Sequence, residues 1–440
     1  MYGIADLDNC YCSCEKVFRP DLEGKPIVVL SNNDGCVVAR SNEAKRMGIK
    51  EGTPYYQLAE LFPNQKIAVF SSNYELYGEL TGRVVSIIRQ ETPAYFRYSI
   101  DECFMYLSSS PDPLEWQRWG ERLHKRVKRE VGLPISIGLA PNKTLAKIAS
   151  KLAKKFEAYR HCCMIDDDYK REKALEWCPI EDVWGIGRRY AAKLQALGCT
   201  TALDFARHHR DWVQLTFNNI NIMRTWQELN GEDAVPNEEL AKKKSICTSR
   251  SFNGMVSDFE TLQTHVANYA SRCAEKLRMQ HTVATIIGVF LNTNAFREDL
   301  PQYWNFQETR LGNPTSSTIP IVQAAGSVLK SIYRPGYRYK KAGVIVMGIG
   351  PNSPIQQDLF DVNADQIQKM RRLDEVIDRI NRINGSETIV IGTQQYTRKE
   401  GAKVEADVFA NAIKHDFRSP NPTTRWSDII TLNRSDKKKT

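Results

Sequence analysis

The sequence predicts an α+β protein of several domains, and three observations carry that expectation. At 440 residues the chain is too long for one hydrophobic core, which suggests roughly two to four domains. Its strand and helix patterns fall twice into a β-α-β-β-α-β order, once before residue 165 and once after residue 245. Between these units the stretch Asn230 to Lys244 is polar and broken by Gly231 and Pro236, which marks a domain boundary.

Met1 to Asp8 reads as the first strand and ends in acids; alternation puts Asp6 and Asp8 on one face. Asn9 to Phe18 reads as a short helix carrying Tyr11, for which a place in the core is the default for a lone tyrosine. Pro26 to Ser31 reads as a second strand. A turn, a strand of small apolar residues up to Arg40 and a short helix from Ser41, stopped by Gly48, follow it. Asn73 to Gln90 shows Leu76, Leu80, Val84 and Ile88 as one apolar helical stripe.

In Tyr98 to Tyr106 two adjacent carboxylates, Asp101 and Glu102, interrupt an otherwise apolar strand pattern. Asp at this point suits a hairpin tip. It also suits a hard cation, because Mg²⁺ is held by one or two carboxylates together with substrate phosphates. If the first strand lies beside this one, Asp6 joins the pair, and two-metal phosphoryl transfer becomes the chemical hypothesis.

Asp112-Pro-Leu-Glu115 has the cap and first-turn proline of a helix start, and Trp116, Trp119, Leu123 and Val127 mark the buried side. A strand over 134–139 and a helix over 142–156 complete the first unit. That helix carries Lys143, Lys147, Lys151, Lys154 and Lys155, and a run of charge on a helix ordinarily reads as a solvated face. Short helices follow from Asp166. There Gly185-Ile-Gly187, with Arg188 and Arg189, resembles a helix-hairpin-helix that offers backbone N–H groups to a phosphate. The second unit reads as strand 246–252, helix 259–280, strands 285–292 and 307–311, helix 319–333 and strand 343–350, with Arg250 and Lys340 as candidate phosphate contacts. Beyond it a tail holds a charged helical stretch from Asp365 to Ile383 and reads as a partner-binding extension.

A modest excess of 61 Lys and Arg over 52 Asp and Glu permits a polyanionic partner. Eleven cysteines form no Cys-x-x-Cys pattern, and the clustered Cys10, Cys12 and Cys14 read as small packing residues in a reducing cytoplasm. Nothing is apolar for long enough to span a membrane, and acids stand where a signal peptide would be apolar; a soluble, cytoplasmic protein is expected.

Taken together, several segments resemble the Y-family translesion DNA polymerases, and within them the UmuC-type catalytic subunit of bacterial DNA polymerase V. They are Asn32-Asn-Asp-Gly-Cys-Val-Val-Ala-Arg40 with Glu43-Ala-Lys45, Ser71-Ser-Asn-Tyr-Glu-Leu-Tyr77, Ser99-Ile-Asp-Glu102, Asn142-Lys-Thr-Leu-Ala-Lys147, Trp184-Gly-Ile-Gly-Arg-Arg189 and Ser249-Arg-Ser-Phe252. They occur in family order, which is far more specific than any one of them.

The resemblance implies a right-hand polymerase. Its ferredoxin-like palm would be residues 1–30 and 74–165, its small fingers 31–73, its helical thumb with the helix-hairpin-helix 166–232, its linker 233–244 and its little finger 245–350. It implies two Mg²⁺ ions on Asp6, Asp101, Glu102 and the carbonyl of Leu7, with Asp8 outside this set. Tyr11 would be the steric gate under the sugar, Cys36 and Val38 the roof over the templating base, and Lys45 and Lys154 the triphosphate contacts. At Lys45 many members have Arg, so a point charge replaces a bidentate fork, and Asn42 stands where many have Tyr. Gly185, Gly187, Arg188, Arg189, Arg250 and Lys340 would hold primer-template DNA.

In the 351–440 tail, Gln356-Gln-Asp-Leu-Phe360 resembles the sliding-clamp-binding pentapeptide, with Gln356, Leu359 and Phe360 as contacts and Gln357 departing from the usual Leu. Thr423-Thr-Arg-Trp-Ser-Asp428 resembles the end of a UmuC-type tail. The implied partners are deoxynucleoside triphosphates, DNA, the clamp, a UmuD-like dimeric accessory subunit and a recombinase filament, at the nucleoid. The implied function is insertion opposite damaged bases in SOS-type mutagenesis. A non-catalytic DNA-binding scaffold and a nucleotide cyclase with a palm-like core are the alternatives; intact carboxylates speak against the first, and the helix-hairpin-helix and second unit against the other.

Overall fold

A computed structural model describes residues 1–440 apart from 64, 93, 109–112, 237–243, 353–363, 386, 395–414 and 431–440. The expected Asp112 cap and the pentapeptide Gln356 to Phe360 lie outside the described residues. Two compact units divide the chain, residues 1–237 with 414–440, and residues 238–413.

In the first unit the elements run β1 (Tyr2–Leu7), α1 (Cys10–Val17), β2 (Ile27–Leu30), β3 (Val37–Arg40), α2 (Asn42–Arg46), α3 (Tyr55–Leu61), β4 (Ala68–Ser71), α4 (Tyr74–Glu91), β5 (Tyr95–Arg97), β6 (Glu102–Tyr106), α5 (Pro113–Val131), β7 (Ile135–Ala140), α6 (Lys143–Lys155) and β8 (Cys162–Met164). Further α-helices follow among the described residues: α7 (Asp168–Trp177), α8 (Arg188–Ala196), α9 (Ala202–Ala206), α10 (Arg210–Phe217) and α11 (Ile220–Leu229).

The main sheet has the order β5-β6-β1-β7-β8. Its first four strands are antiparallel neighbours, the ferredoxin-like arrangement of a β-α-β-β-α-β chain, and β8 adds to β7 in parallel. β1 is buried on both faces, which is why its sequence is nearly all apolar. Tyr2 and Ile4 join one core with Leu145 and Ile148 of α6, while Ala5 and Leu7 join another with Leu80 and Val84 of α4 and Leu123 of α5. α6 lies unusually close to β7: a Cβ at Gly138 would stand 2.0 Å from the Ala146 carbonyl. A smaller sheet, β3-β2-β4, has its own core around Val28, Leu30 and Ile49. β4 and β8 are strands that the sequence reading did not mark.

The second unit contains β9 (Ser245–Val256), α12 (Phe259–Met279), β10 (Thr282–Thr293), β11 (Trp304–Thr315), α13 (Thr318–Ile332), β12 (Tyr339–Met347), β13 (Gly350–Pro351) and α14 (Ala364–Asn384). Its sheet order is β11-β10-β12-β9, and β13 adds to β10. The tail helix α14 packs on this unit. Arg278 of α12 donates to both Asp378 oxygens at 2.7 Å, and the Thr318 N–H donates to buried Asp374 at 3.3 Å. No helix among the described residues is long and apolar enough to cross a membrane.

Candidate active site

Strand period and register assemble the acids. Tyr2, Ile4 and Asp6 alternate on the β1 face that α6 covers, and the antiparallel register sets Glu102 of β6 opposite Asp6. Asp101 stands in the turn just before β6, so the hairpin-tip position and the acidic cluster are the same place. Its carbonyl accepts the Leu7 N–H at 3.0 Å, tying the two acidic strand ends together. Ser99 supports the turn: its hydroxyl donates to the Asp101 carboxylate at 2.5 Å and accepts the Asp101 and Glu102 N–H groups at 3.2 and 3.0 Å.

α6 brings lysines onto these acids. Lys147 and Lys154 are seven residues apart, two turns on one helix face. Lys147 Nζ donates to the two Glu102 oxygens at 2.8 and 3.0 Å and sits 4.6 Å from the Tyr98 ring and 5.1 Å from that of Trp184. Lys154 Nζ reaches Asp6 at 2.7 Å and Asp8 at 3.3 Å. Burial pushes the Asp6 carboxyl above the usual range, against the pull of Lys154. Burial alone would lower the Lys154 ammonium, but the Asp6 and Asp8 charges outweigh it and hold it above its ordinary value. The solvated-face expectation fails for Lys147 and also for Lys143, which is buried and donates to the Val235 carbonyl at 2.7 Å. The helix turns that face inward because Gly138 lets it lie against the sheet's polar end.

The cleft beside the acids is lined by Asp6, Leu7, Asn9, Tyr11, Val38, Arg40, Lys45, Asp101 and Lys154. Tyr11 is stacked on Tyr77 of α4, centroids 4.7 Å apart at 13°, and meets Tyr74 edge-on at 5.6 Å. Lys45 donates to Asn9 at 2.5 Å, and Asn9 donates to Asn42 at 2.9 Å. Burial, with Lys154 and Arg40 nearby, lowers the Lys45 ammonium from its ordinary value. Cys36 stands outside the cleft lining, with its N–H on the Ser31 hydroxyl at 3.2 Å. Sequence reasoning missed Arg40, which donates to the Ile49 carbonyl at 2.9 Å and reaches Glu51 at 3.4 Å, and Asn9, whose φ of 48° turns the chain from β1 into α1. A charged residue ending a small apolar strand and an Asn between strand and helix were the available signals.

The carboxylates suit a hard divalent cation in kind, all oxygen donors from adjoining strand ends. Each accepts from a lysine or serine donor, and among the described residues no three His, Cys, Asp or Glu side chains are drawn together as ion ligands.

At the helix-hairpin-helix, Gly185 has φ +90° and a Cβ there would meet Thr225 Oγ1 at 2.4 Å, so only glycine fits. Gly187 caps α8, and Arg188 and Arg189 are exposed at its start. In the second unit, Arg250 has a buried Nη1 without a hydrogen-bond partner among the described residues. Lys340 donates to the Phe252 and Gly254 carbonyls at 2.7 and 3.3 Å, so its ammonium clasps the irregular end of β9.

Comparison with known proteins follows this geometry. Residues 5–151 match the impB/mucB/samB family, 243–359 its C-terminal domain, and 371–432 a domain of unknown function, DUF4113. Protein UmuC of Salmonella typhimurium is 38% identical over 98% of this chain and 100% of its own. The chain belongs to the UmuC-type Y-family DNA polymerases. Among other relatives of this family, Protein SamB of Salmonella typhimurium is 37% identical over 98% of this chain and 99% of its own. DNA polymerase IV of Clostridium acetobutylicum is 26% identical over 81% of this chain and 86% of its own. The solved Y-family DNA polymerase chimera Dbh-Dpo4(243-245)-Dbh shares the fold, with a TM-score of 0.63 and 18% identity over 80% of this chain and all of that one.

Proposed function

We infer that the chain is a translesion DNA polymerase, a template-directed nucleotidyltransferase that inserts deoxynucleotides opposite damaged bases. One observation carries the assignment of its centre: Asp6 and Glu102 face each other across β1 and β6, Asp101 adjoins them, and a cleft lined by Arg40, Lys45 and Lys154 opens beside them. We assign the domains as palm 1–30 and 74–165, fingers 31–73, thumb 166–232, little finger 245–350 and C-terminal tail 351–440.

Asp6, Asp101, Glu102 and the Leu7 carbonyl would hold two Mg²⁺ ions, which supply charge neutralisation at the attacking and leaving oxygens. Lys147 and Lys154 hold Glu102 and Asp6 in place beforehand. Lys45, Lys154 and Arg40 present positive charge to a triphosphate, where charge-assisted hydrogen bonds position the reacting phosphate. The Tyr11 ring, fixed flat on Tyr77, closes the cleft where a 2′-hydroxyl would stand. Val38 lines the cleft from the fingers, with Cys36 behind it as a roof residue. Gly185, Gly187, Arg188 and Arg189 contact the DNA backbone, as do Arg250 and Lys340 from the little finger. The sliding clamp, a UmuD-like dimer and a recombinase filament are the protein partners, at the nucleoid.

Asp101→Asn tests the centre. It should abolish primer extension while leaving primer-template affinity nearly unchanged, since backbone charge contacts dominate binding. Turnover at the parental rate would sink the two-metal assignment.

A further inference from the structure

The last described segment of the tail is built into the wall behind Tyr11. The Phe417 ring meets Tyr55 edge-on at 5.2 Å and packs on the core of the β3-β2-β4 sheet. Its carbonyl accepts the Ser71 N–H at 3.1 Å and its N–H donates to the Ser71 hydroxyl at 3.0 Å, so the segment is tied to the end of β4. Two residues on, the segment reaches the N-terminus of α4. Asn73 caps that helix with its side-chain oxygen and donates through its amide nitrogen to the Ser419 carbonyl, the Ser419 hydroxyl and Asn421 at 3.1, 3.0 and 2.6 Å. Asn73 and Asn421 are each 1% exposed, so this polar junction is sealed from water, where an unmade hydrogen bond would be costly. Glu75 in the first turn takes Arg418 and Arg425 at 2.9 and 2.8 Å.

The same segment reaches Tyr11 by a second route. The Ser419 hydroxyl donates to buried Glu15 of α1 at 3.0 Å, the Tyr77 hydroxyl donates to the same Glu15 oxygen at 2.6 Å, and the Tyr77 ring carries the flat face of Tyr11. Glu15 also lies one helical turn beyond Tyr11 on α1. Both partners of the stack, α1 and the start of α4, are therefore held from behind by the tail.

We propose that residues 416–421, anchored by Phe417 and acting through Ser419, Glu15 and Tyr77, are positioning residues for sugar selection, holding Tyr11 against ribonucleotides. The segment falls in the stretch matching the domain of unknown function. The proposal rests on the polymerase reading and gives the tail a part in substrate choice within the same chain. A ring that must exclude one hydroxyl works only if it cannot recoil; the stack on Tyr77 and the seal behind it supply that stiffness.

The test uses the full chain and compares kcat/KM for a deoxynucleotide and the matching ribonucleotide. Ser419→Ala with Phe417→Ala should lower discrimination about fivefold, the effect of losing roughly one hydrogen bond's worth of positioning, and chiefly through a lower KM for the ribonucleotide. Ser419→Thr keeps the hydroxyl and should keep the parental ratio. In a Tyr11→Ala background the tail substitutions should add nothing, since they act through that ring. If Phe417→Ala unfolds the fingers, Ser419→Ala alone carries the comparison. Unchanged discrimination in a folded, active variant overturns the proposal, and so does an equal loss with and without Tyr11. A parent chain that extends no primer at all overturns the polymerase reading instead.

Discussion

At the residue scale, two side chains show how position converts an ordinary group into a specific one. Tyr11 read alone is a core tyrosine; stacked on Tyr77 at the cleft, it faces the site with one ring face held. Tyr11→Ala should therefore admit ribonucleotides, read as a fall of at least tenfold in discrimination in steady-state incorporation, since a steric block removed costs a few kcal/mol of selectivity. Equal discrimination in variant and parent would return Tyr11 to the core. Glu15 is the second case. Burial, partly offset by the Tyr77 and Ser419 hydroxyls and by Arg19, pushes its carboxyl from an ordinary 4.5 to about 7. The native state then holds a proton that the unfolded chain has lost, so the stability linked to Glu15 is fully present below pH 4.5 and is lost as pH rises through about 7. The loss is of the order of 3 kcal/mol at most. The stability difference between parent and Glu15→Gln, followed by denaturant titration from pH 5 to pH 8, should move in favour of the Gln variant as pH rises; a flat difference would refute the linkage.

At the element scale, α6 decides the electrostatics of the centre. Its apolar residues Leu145, Ile148 and Leu152 fix one face on the sheet, and the lysines two turns apart fall on the acids as a result. The approach depends on Gly138, where an added Cβ would press on the Ala146 carbonyl and stand 2.3 Å from the Ser150 nitrogen. Backbone cannot rotate away as a side chain can. Gly138→Ala should destabilise the first unit by ~1–3 kcal/mol in denaturant unfolding. It should also lower nucleotide addition by more than the unfolded fraction explains, because Lys147 and Lys154 move with the helix. Parental stability would mean that α6 and β7 yield more easily than their backbone contact implies.

At the scale of the whole molecule, the expected clamp tether lies in residues outside those described, and its test is functional. Leu359→Ala with Phe360→Ala should leave distributive synthesis unchanged and remove stimulation by the clamp, because a tether acts by raising effective concentration at the primer end. Titration calorimetry showing the same clamp affinity in parent and double variant would make the pentapeptide a packing element.

Much at this scale was legible in the chain. The alternation of Met1 to Asp8, the acids at Asp101 and Glu102, the stripe from Leu76 to Ile88 and the two β-α-β-β-α-β units all follow from local periods that backbone geometry imposes. Strand order was not legible. The first unit places its early strands as β5-β6-β1-β7 and the second as β11-β10-β12-β9, from the same element order, because pairing depends on which faces meet after the helices cross over. Nor was the fate of Lys147, whose sequence context is that of a solvated lysine until Gly138 seats the helix and Glu102 lies beneath it. The sequence by itself determined where the acids, aromatics and glycines stand and which elements carry them. Only the tertiary structure decided which charges meet, and that the tail's Phe417 reaches back to β4 and its Ser419 to α1 across more than three hundred residues, since contacts so distant in the chain leave no local period to read.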